Sequence, residues 1–413
     1  MSPTRRRFLQ QTAAASGVVA LGHTVPNFVS RTAAAAPPTN KGGAKDTILV
    51  VVELTGGNDG LNTVVPFADA DYAKLRPVLK LPTAQLKKVN KELGLHPSLA
   101  GLAKLYEAGN VCIVQGVGYP NPDQSHFRSM DIWQLGSMDI KATEGWLGRS
   151  LKKMPNGTLS FHLKGANQAA PLAYDGAPMR VPSIATLAEF QLQMGATSAS
   201  DKTAQQKLIE GAVGGSKKPG LLDFVSRTAS NTYASSRRLA EIGKTYTPKA
   251  PYPATPLANR LKIAAQLIDA GLGARIFYVS IDNFDTHATQ LPSHANLLAE
   301  LSGAMTAFFD DMKARGQGDR VLMMTFSEFG RRARENGSKG TDHGSGSQMF
   351  LVGGKVKAGV VGRHPSLTDL PQGNLVHHTD FRQVYAAVLD KWLGVPSKDV
   401  LGEAFAPVDV LKG

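Results

Sequence analysis

Acids and histidines sit side by side in three short strings of the last third of the chain: Asp285-Thr286-His287, Asp342-His343 and His377-His378-Thr379-Asp380. Carboxylate oxygen with imidazole nitrogen is the ligand set that zinc, manganese and similar divalent ions prefer. The chemistry such a set supports is metal-assisted hydrolysis. Asp285 and His287 stand two apart, so in an extended segment both point to one side, although an Asx turn before a helix would use the same residues. Asp342 and His343 are adjacent and diverge in an extended segment; a turn at Gly340 or Gly344 would let them converge. The plainer use of that pair is to satisfy each other and the backbone. His378 immediately precedes a Thr-Asp helix cap and is the candidate ligand of its string, with His377 directed elsewhere.

Other residues could complete such a site. Asp59 lies in Gly56-Gly57-Asn58-Asp59-Gly60, where the glycines permit close approach of backbone to an ion, or simply a tight turn. Glu328, in Ser327-Glu328-Phe329-Gly330-Arg331-Arg332, could join a carboxylate shell or pair with Arg331 or Arg332. Those arginines could instead clamp an anionic ester bidentately. Ser125-His126 opens a helical segment containing Phe127, Met130, Ile132 and Trp133. A serine there is an N-cap; it also stands where backbone N–H groups stabilise negative charge and a nearby metal could ionise its hydroxyl. Ser125, His126 and Arg331 are therefore the candidate catalytic residues. Asp59, Asp285, His287, Glu328, Asp342, His343 and His378 are the candidate metal ligands. Cys112, in the apolar run Val111–Val114, reads as a buried small hydrophobe.

The elements that must position these residues are legible as apolar runs. Thr47–Val52, Val111–Val114, Arg275–Ile281, Val321–Phe326 and Met349–Val352 lack polar alternation, as strands buried on both faces do. Helical spacing joins Leu297, Leu298, Leu301, Met305, Phe308, Phe309 and Met312, with Ser293 available as a cap. A last helix carries Phe381, Val384, Tyr385, Val388, Leu389, Trp392 and Leu393 on one stripe, begun by Thr379-Asp380 and stopped by Gly394. The fold class expected is α/β: a doubly wound, mostly parallel sheet sandwiched by helices. Ligands in such sheets bind beyond the carboxyl ends of strands, which is where the candidate strings fall. Residues 190–255 read as a helical insertion on one main domain covering 47–413.

The N-terminus is a separate matter. Arg5, Arg6 and Arg7 precede Phe8-Leu9 and a mildly apolar run to Gly22, followed by Ala33-Ala34-Ala35. Residues 1–35 therefore read as a twin-arginine export signal, and 36–46 as a flexible lead-in. The apolar run is shorter than the roughly 20 residues that span a bilayer, so no stable membrane anchor is expected. The implied location is periplasmic or extracellular, with the twin-arginine translocase as a partner during export. Four arginines and no acids lie in residues 1–35, so the formal charge of +13 becomes +9 without them. The basic residues are scattered in pairs such as Lys87-Lys88 and Lys152-Lys153, with no long basic run among aromatics. That pattern excludes a nucleic-acid partner and suits an anionic small-molecule or polymer substrate.

The order of acid after the first strand, serine at a helix start, Asp…His, Asp-His and a late His resembles the alkaline phosphatase/sulfatase superfamily. More narrowly, the chain resembles the exported family catalogued as domain of unknown function 1501. The strings that carry this are Gly56–Asn62, Ser125-His126-Phe127, Phe284–His287, Ser327–Arg332, Gly340–Gly344 and Thr379–Arg382. The superfamily resemblance implies two divalent ions, of zinc, manganese, magnesium or calcium, flanking a serine nucleophile. By position, Asp285, His287 and His378 would hold one ion and Asp342, His343 and Asp59 the other, with Ser125 between. Glu53, which directly follows the first strand, competes with Asp59 for its place. The function expected is an exported metal-dependent hydrolase of phosphate esters. Sulfate esters are less favoured, because the modified cysteine or serine context of a sulfatase is missing. The alternative is a non-catalytic protein of the same fold that binds or helps assemble an anionic cell-surface polymer.

Overall fold

A computed structural model describes residues 47–164, 168–187 and 241–413. Nine strands form its main sheet: β1 (Ile48–Leu54), β2 (Val111–Gly118), β3 (Leu159–Leu163), β4 (Ser183–Ile184), β5 (Ala274–Ile281), β6 (Val321–Phe326), β7 (Ser347–Gly353), β8 (Gly359–Val361) and β9 (Thr379–Asp380). Their order is β8-β2-β7-β6-β1-β5-β3-β4, with β9 also paired to β2. β1 is parallel to both β5 and β6. β7 alone runs against its neighbours β2 and β6. The sheet is thus α/β and mostly parallel, as the unalternated apolar runs required.

Every residue of β1 is buried, because both of its faces are covered. Val50, Val52 and Leu54 pack with α1 (Ala100–Glu107), α4 (Pro256–Asp269) and α5 (Gln290–Ala314). Leu49 and Val51 face the other way, onto α2 (His126–Leu135), α3 (Trp146–Lys153) and α6 (Phe381–Ala387). The period-2 pleat divides one strand between two cores. A small separate sheet pairs Val64–Val65 with Gly94–Leu95 and the latter with Lys87–Lys88.

Local signals set the helix ends. Asp380 caps α6 in a reciprocal box with Gln383, a π turn (Val388–Leu393) continues the helix, and Gly394 ends it at φ +70°. α5 departs from expectation: it starts at Gln290, three residues before Ser293. The carbonyls of Ser338 and Lys339 accept from the N–H groups of Thr289 and Gln290, so a neighbouring loop supplies the cap. Pro292 is tolerated in that first turn because its missing N–H would have had no helical partner. β3 escapes apolar-run reading because Ser160 and His162 interrupt it; both are buried, bonded to Tyr174 and Ser183.

Residues 1–46 and 188–240 lie outside the described residues, and with them the export signal and most of the insertion. Residues 241–245 are helical, and 246–255 have no helix or strand. That stretch docks on α5 through Asp311, which accepts from Lys249 N–H at 2.8 Å and Tyr252 Oη at 3.1 Å.

Candidate metal centre

The loops that leave β1, β2, β5 and β6 all emerge at the carboxyl edge of the sheet and are laced together. Thr55 N–H donates to Ile281 O at 2.9 Å and Phe284 N–H returns to Thr55 O at 3.0 Å. Asn58 N–H reaches Ser327 Oγ at 2.9 Å, and Ser327 Oγ donates to Leu54 O at 2.6 Å. The segment leaving β6 meets the Asp342 loop in a single bridge, Arg331 opposite His343. Two glycines make that approach possible. A Cβ at Gly340 would lie 2.2 Å from the His287 backbone, and one at Gly344 2.4 Å from that of Arg331.

This lacing brings Asp285, His287, Asp342, His343 and His126 together. Asp285 is the hub. Its Oδ1 lies 3.0 Å from His287 Nε2 and 3.2 Å from His343 Nε2, and its Oδ2 lies 3.4 Å from His126 Nε2. His287 Nε2 and His343 Nε2 are 2.9 Å apart. Ligand atoms of His126, Asp285 and His343 lie within 4.8 Å of one another, the one such acid–imidazole group among the described residues.

The far nitrogen of each ring decides what these atoms can do. His126 Nδ1 is 2.8 Å from Glu328 Oε1, His343 Nδ1 is 2.8 Å from Gln124 O, and His287 Nδ1 faces Asp342 Oδ1 at 3.6 Å. A carbonyl or carboxylate can only accept, so the Nδ1 atoms of His126 and His343 carry the proton, and each of these two rings, when neutral, turns its Nε2 lone pair toward Asp285. Two lone pairs turned on a carboxylate repel it unless a cation lies among them. A tetrahedral zinc, with bonds of about 2.0–2.1 Å, keeps its ligand atoms roughly 3.3 Å apart, close to the spacings seen here. The donor set fits a divalent ion.

Electrostatics agree. Burial works against the Asp285 charge, but the bond and charge of Arg331, with His343 and His287, bring its pKa down to about 2. Burial lowers the pKa of His343, leaving it neutral and able to ligate. His126 is shifted up, chiefly by its bond to Glu328, so a proton competes with an ion there. Asp342 is held below the usual carboxylate range by its bond from Asn336 Nδ2 at 3.1 Å.

Several expected roles need correction. Asp59 is fully buried and bonded bidentately to Arg76 at 2.6 and 3.0 Å, with Gln290 also donating to it. Glu53 is buried among Tyr278, Thr55 and Gln134. Neither acid belongs to the cluster. His378 is bonded to Arg363 at 3.2 Å and through its N–H to Gly116 O, away from the other ligands. The expected division into two ion sites loses Asp59 from one and His378 from the other. Glu328 is buried and meets the cluster only at the back of His126, its Oε1 also accepting from Gly56 N–H at 2.8 Å. Arg331 has no face left for an ester. It is buried and braces the carbonyls of Gly56, Gly57, Thr341 and Phe284, and it reaches Asp285 Oδ1 at 2.5 Å.

Ser125 occupies the N-cap position of α2, yet its side chain caps nothing and is exposed. Its N–H donates to Asp123 Oδ1 at 2.7 Å. His126 as a ligand, Gln124 O as its neighbour's anchor and Arg76 as the partner of Asp59 were not singled out from sequence. His126 had a signal, being a histidine at a helix start beyond a central strand. Arg76 had none, since its partner lies on another loop.

Residues 46–391 match the model of a family described as a protein of unknown function (DUF1501). The chain belongs to that family. No curated protein matches the sequence. Among solved structures, a protein in the alkaline phosphatase superfamily from Vibrio parahaemolyticus overlaps at a TM-score of 0.39 and 11% identity, covering 91% of this chain and 76% of the other. A sulfatase from Pseudoalteromonas sp. overlaps at 0.38 and 13% identity, covering 99% and 78%. The C-terminal periplasmic domain of EcEptC from Escherichia coli, in complex with Zn, overlaps at 0.35 and 13%, covering 76% and 74%. Nothing about activity follows from overlaps of this size.

Proposed function

We propose that this chain is an exported metal-dependent hydrolase of phosphate esters, with sulfate esters the less favoured substrates. One observation carries the reading: three imidazole Nε2 atoms converge on Asp285, and two of the rings, His126 and His343, have their Nδ1 atoms tied back to acceptors. His126, Asp285 and His343 would hold one divalent ion, with His287 beside Asp285 at its edge. Such an ion supplies positive charge against a transferring phosphoryl group.

The chain's own residues then divide the work. Ser125 is the proposed nucleophile, its hydroxyl free at the N-terminus of α2, where the helix dipole favours negative charge. Its Oγ attacks phosphorus as its proton passes to water; the P–O bond to the alcohol breaks and the alcohol takes up a proton. Water then cleaves the seryl phosphate, releasing phosphate and restoring the hydroxyl. Glu328 and the Gln124 carbonyl hold the His126 and His343 rings in place, and Arg331 holds Asp285. Export by the twin-arginine route to the periplasm or beyond is part of the proposal, resting on Arg5-Arg6-Arg7 and the run that follows. Among the described residues no helix is long and apolar enough to cross a membrane.

The rival reading, a non-catalytic binder of an anionic surface polymer, draws support from Arg331, whose guanidinium meets the same Asp285 oxygen an ion would use. Hydrolysis of p-nitrophenyl phosphate with and without a chelator separates the two. Chelator-sensitive turnover supports the hydrolase; no turnover by protein loaded with zinc or manganese sinks it.

A further inference from the structure

We infer that the centre acts on esters of a neutral, hydroxyl-rich alcohol such as a sugar, whose alcohol part lies in the cleft beside His287; this rests on the hydrolase reading. The cleft has a volume of about 530 Å³, within the roughly 300–1,000 Å³ of small-ligand pockets. Asp285 and His287 form one end, and Asn283, Ser293, Asn296 and Glu300 line the rest. Among the described residues no lysine or arginine lines it, so nothing there attracts a second anionic group. Glu300 does not make it a cation site either. Its Oε1 accepts from Leu257 N–H at 2.8 Å in the first turn of α4, whose positive end offsets the charge.

What remains is amide and hydroxyl. Asn283, Ser293 and Asn296 are exposed, and no hydrogen bond within the described residues engages their side chains. Free surface asparagines are ordinary, but these share one concave wall that ends at two candidate ligands. An amide offers donor and acceptor together, which suits neighbouring hydroxyls. Leu297 adds an apolar patch for the C–H side of such a ring. Asn283 presents its amide from φ +78°, a setting asparagine tolerates better than most residues.

The test combines Asn283→Gly, which suits the positive φ, with Asn296→Ala on the exposed side of α5. Metal-loaded wild type and double variant are assayed on the 6-phosphates of glucose, mannose and galactose and on p-nitrophenyl phosphate. A sugar phosphate is expected to be turned over, and the variant to raise its KM about tenfold through two lost hydrogen bonds. Its kcat and the p-nitrophenyl phosphate kinetics should not move. Turnover of p-nitrophenyl phosphate with no sugar phosphate accepted, or an unchanged KM, overturns the inference and leaves the hydrolase reading standing. If no ester is cleaved, that reading falls, and saturation-transfer NMR with methyl glycosides of the three sugars decides the cleft. A signal lost in the variant supports sugar binding; no signal in the wild type overturns it.

Discussion

His287 and His343 face each other through their Nε2 atoms at 2.9 Å, although 56 positions separate them in sequence. Asp285 Oδ1 closes a triangle with both. His343 holds its proton on Nδ1 against Gln124 O, so it turns a lone pair into that gap. Removing a ligand should therefore remove the ion. His343→Ala and Asp285→Asn are each expected to take the metal content from about one ion per chain to near none. Elemental analysis of folded protein checks this, with circular dichroism to show that the fold survives. Full metal content in either variant would disprove the centre.

Asp59 gives the opposite expectation. It is paired with Arg76 in full burial, and breaking such a pair from one side costs about 3–5 kcal/mol. Arg76→Ala should lose stability on that scale in urea denaturation. Asp59→Asn should be destabilised as well, yet keep its metal, as should His378→Ala. Metal lost from both without unfolding would restore the two-site arrangement implied by the superfamily resemblance.

Glu328 touches the centre only through His126 Nδ1. Groups that orient a metal-bound histidine usually contribute a factor of about 10–100 in metal affinity. Glu328→Ala should weaken metal binding on that scale, and Glu328→Gln, which can still accept from Nδ1, should weaken it less. Titration against a chromophoric chelator measures both. Equal loss in the two variants would point to Glu328 acting by its charge instead of by its hydrogen bond.

Ser125→Ala tests the nucleophile. Turnover of p-nitrophenyl phosphate should vanish while metal content stays the same, because the Ser125 hydroxyl makes no cap bond to the helix. Wild-type rates in the variant would move the nucleophile to water or to another residue.

Acid should destabilise the fold through histidines away from the centre. Burial lowers the pKa of His294 to about 4, and those of His96 and His162 similarly. The unfolded chain binds these protons near pH 6.5, the folded one only near 4, so the unfolded state gains more protons in between. Stability is full above about pH 6.5 and falls as the pH drops toward 4, by about 3 kcal/mol for His294 alone. Urea denaturation at pH 7, 5.5 and 4.5 checks the slope. The replacement His294→Gln should flatten it.

Sequence alone determined the central strands, because Ile48–Val52 and Val321–Met324 are unbroken apolar runs, as a doubly covered sheet requires, and leave little choice of state. It also determined the cap and stop of α6, since Asp380, Gln383 and Gly394 act within a few residues of one another. The chemistry of Asp285, His287 and His343 was visible as residue type and spacing. Direction was not: β7 reads as one more apolar run, and only its neighbours make it antiparallel. Nor could the sequence distinguish Asp59 and Arg331, which bind elsewhere in the fold, from groups free to meet an ion or an ester. That depends on which loops touch, and Arg76, Gly340 and Gly344 govern those contacts from other loops 13 to 53 residues away. Local physics is written in neighbouring residues; the identity of a ligand depends on long-range contacts formed only when the sheet assembles.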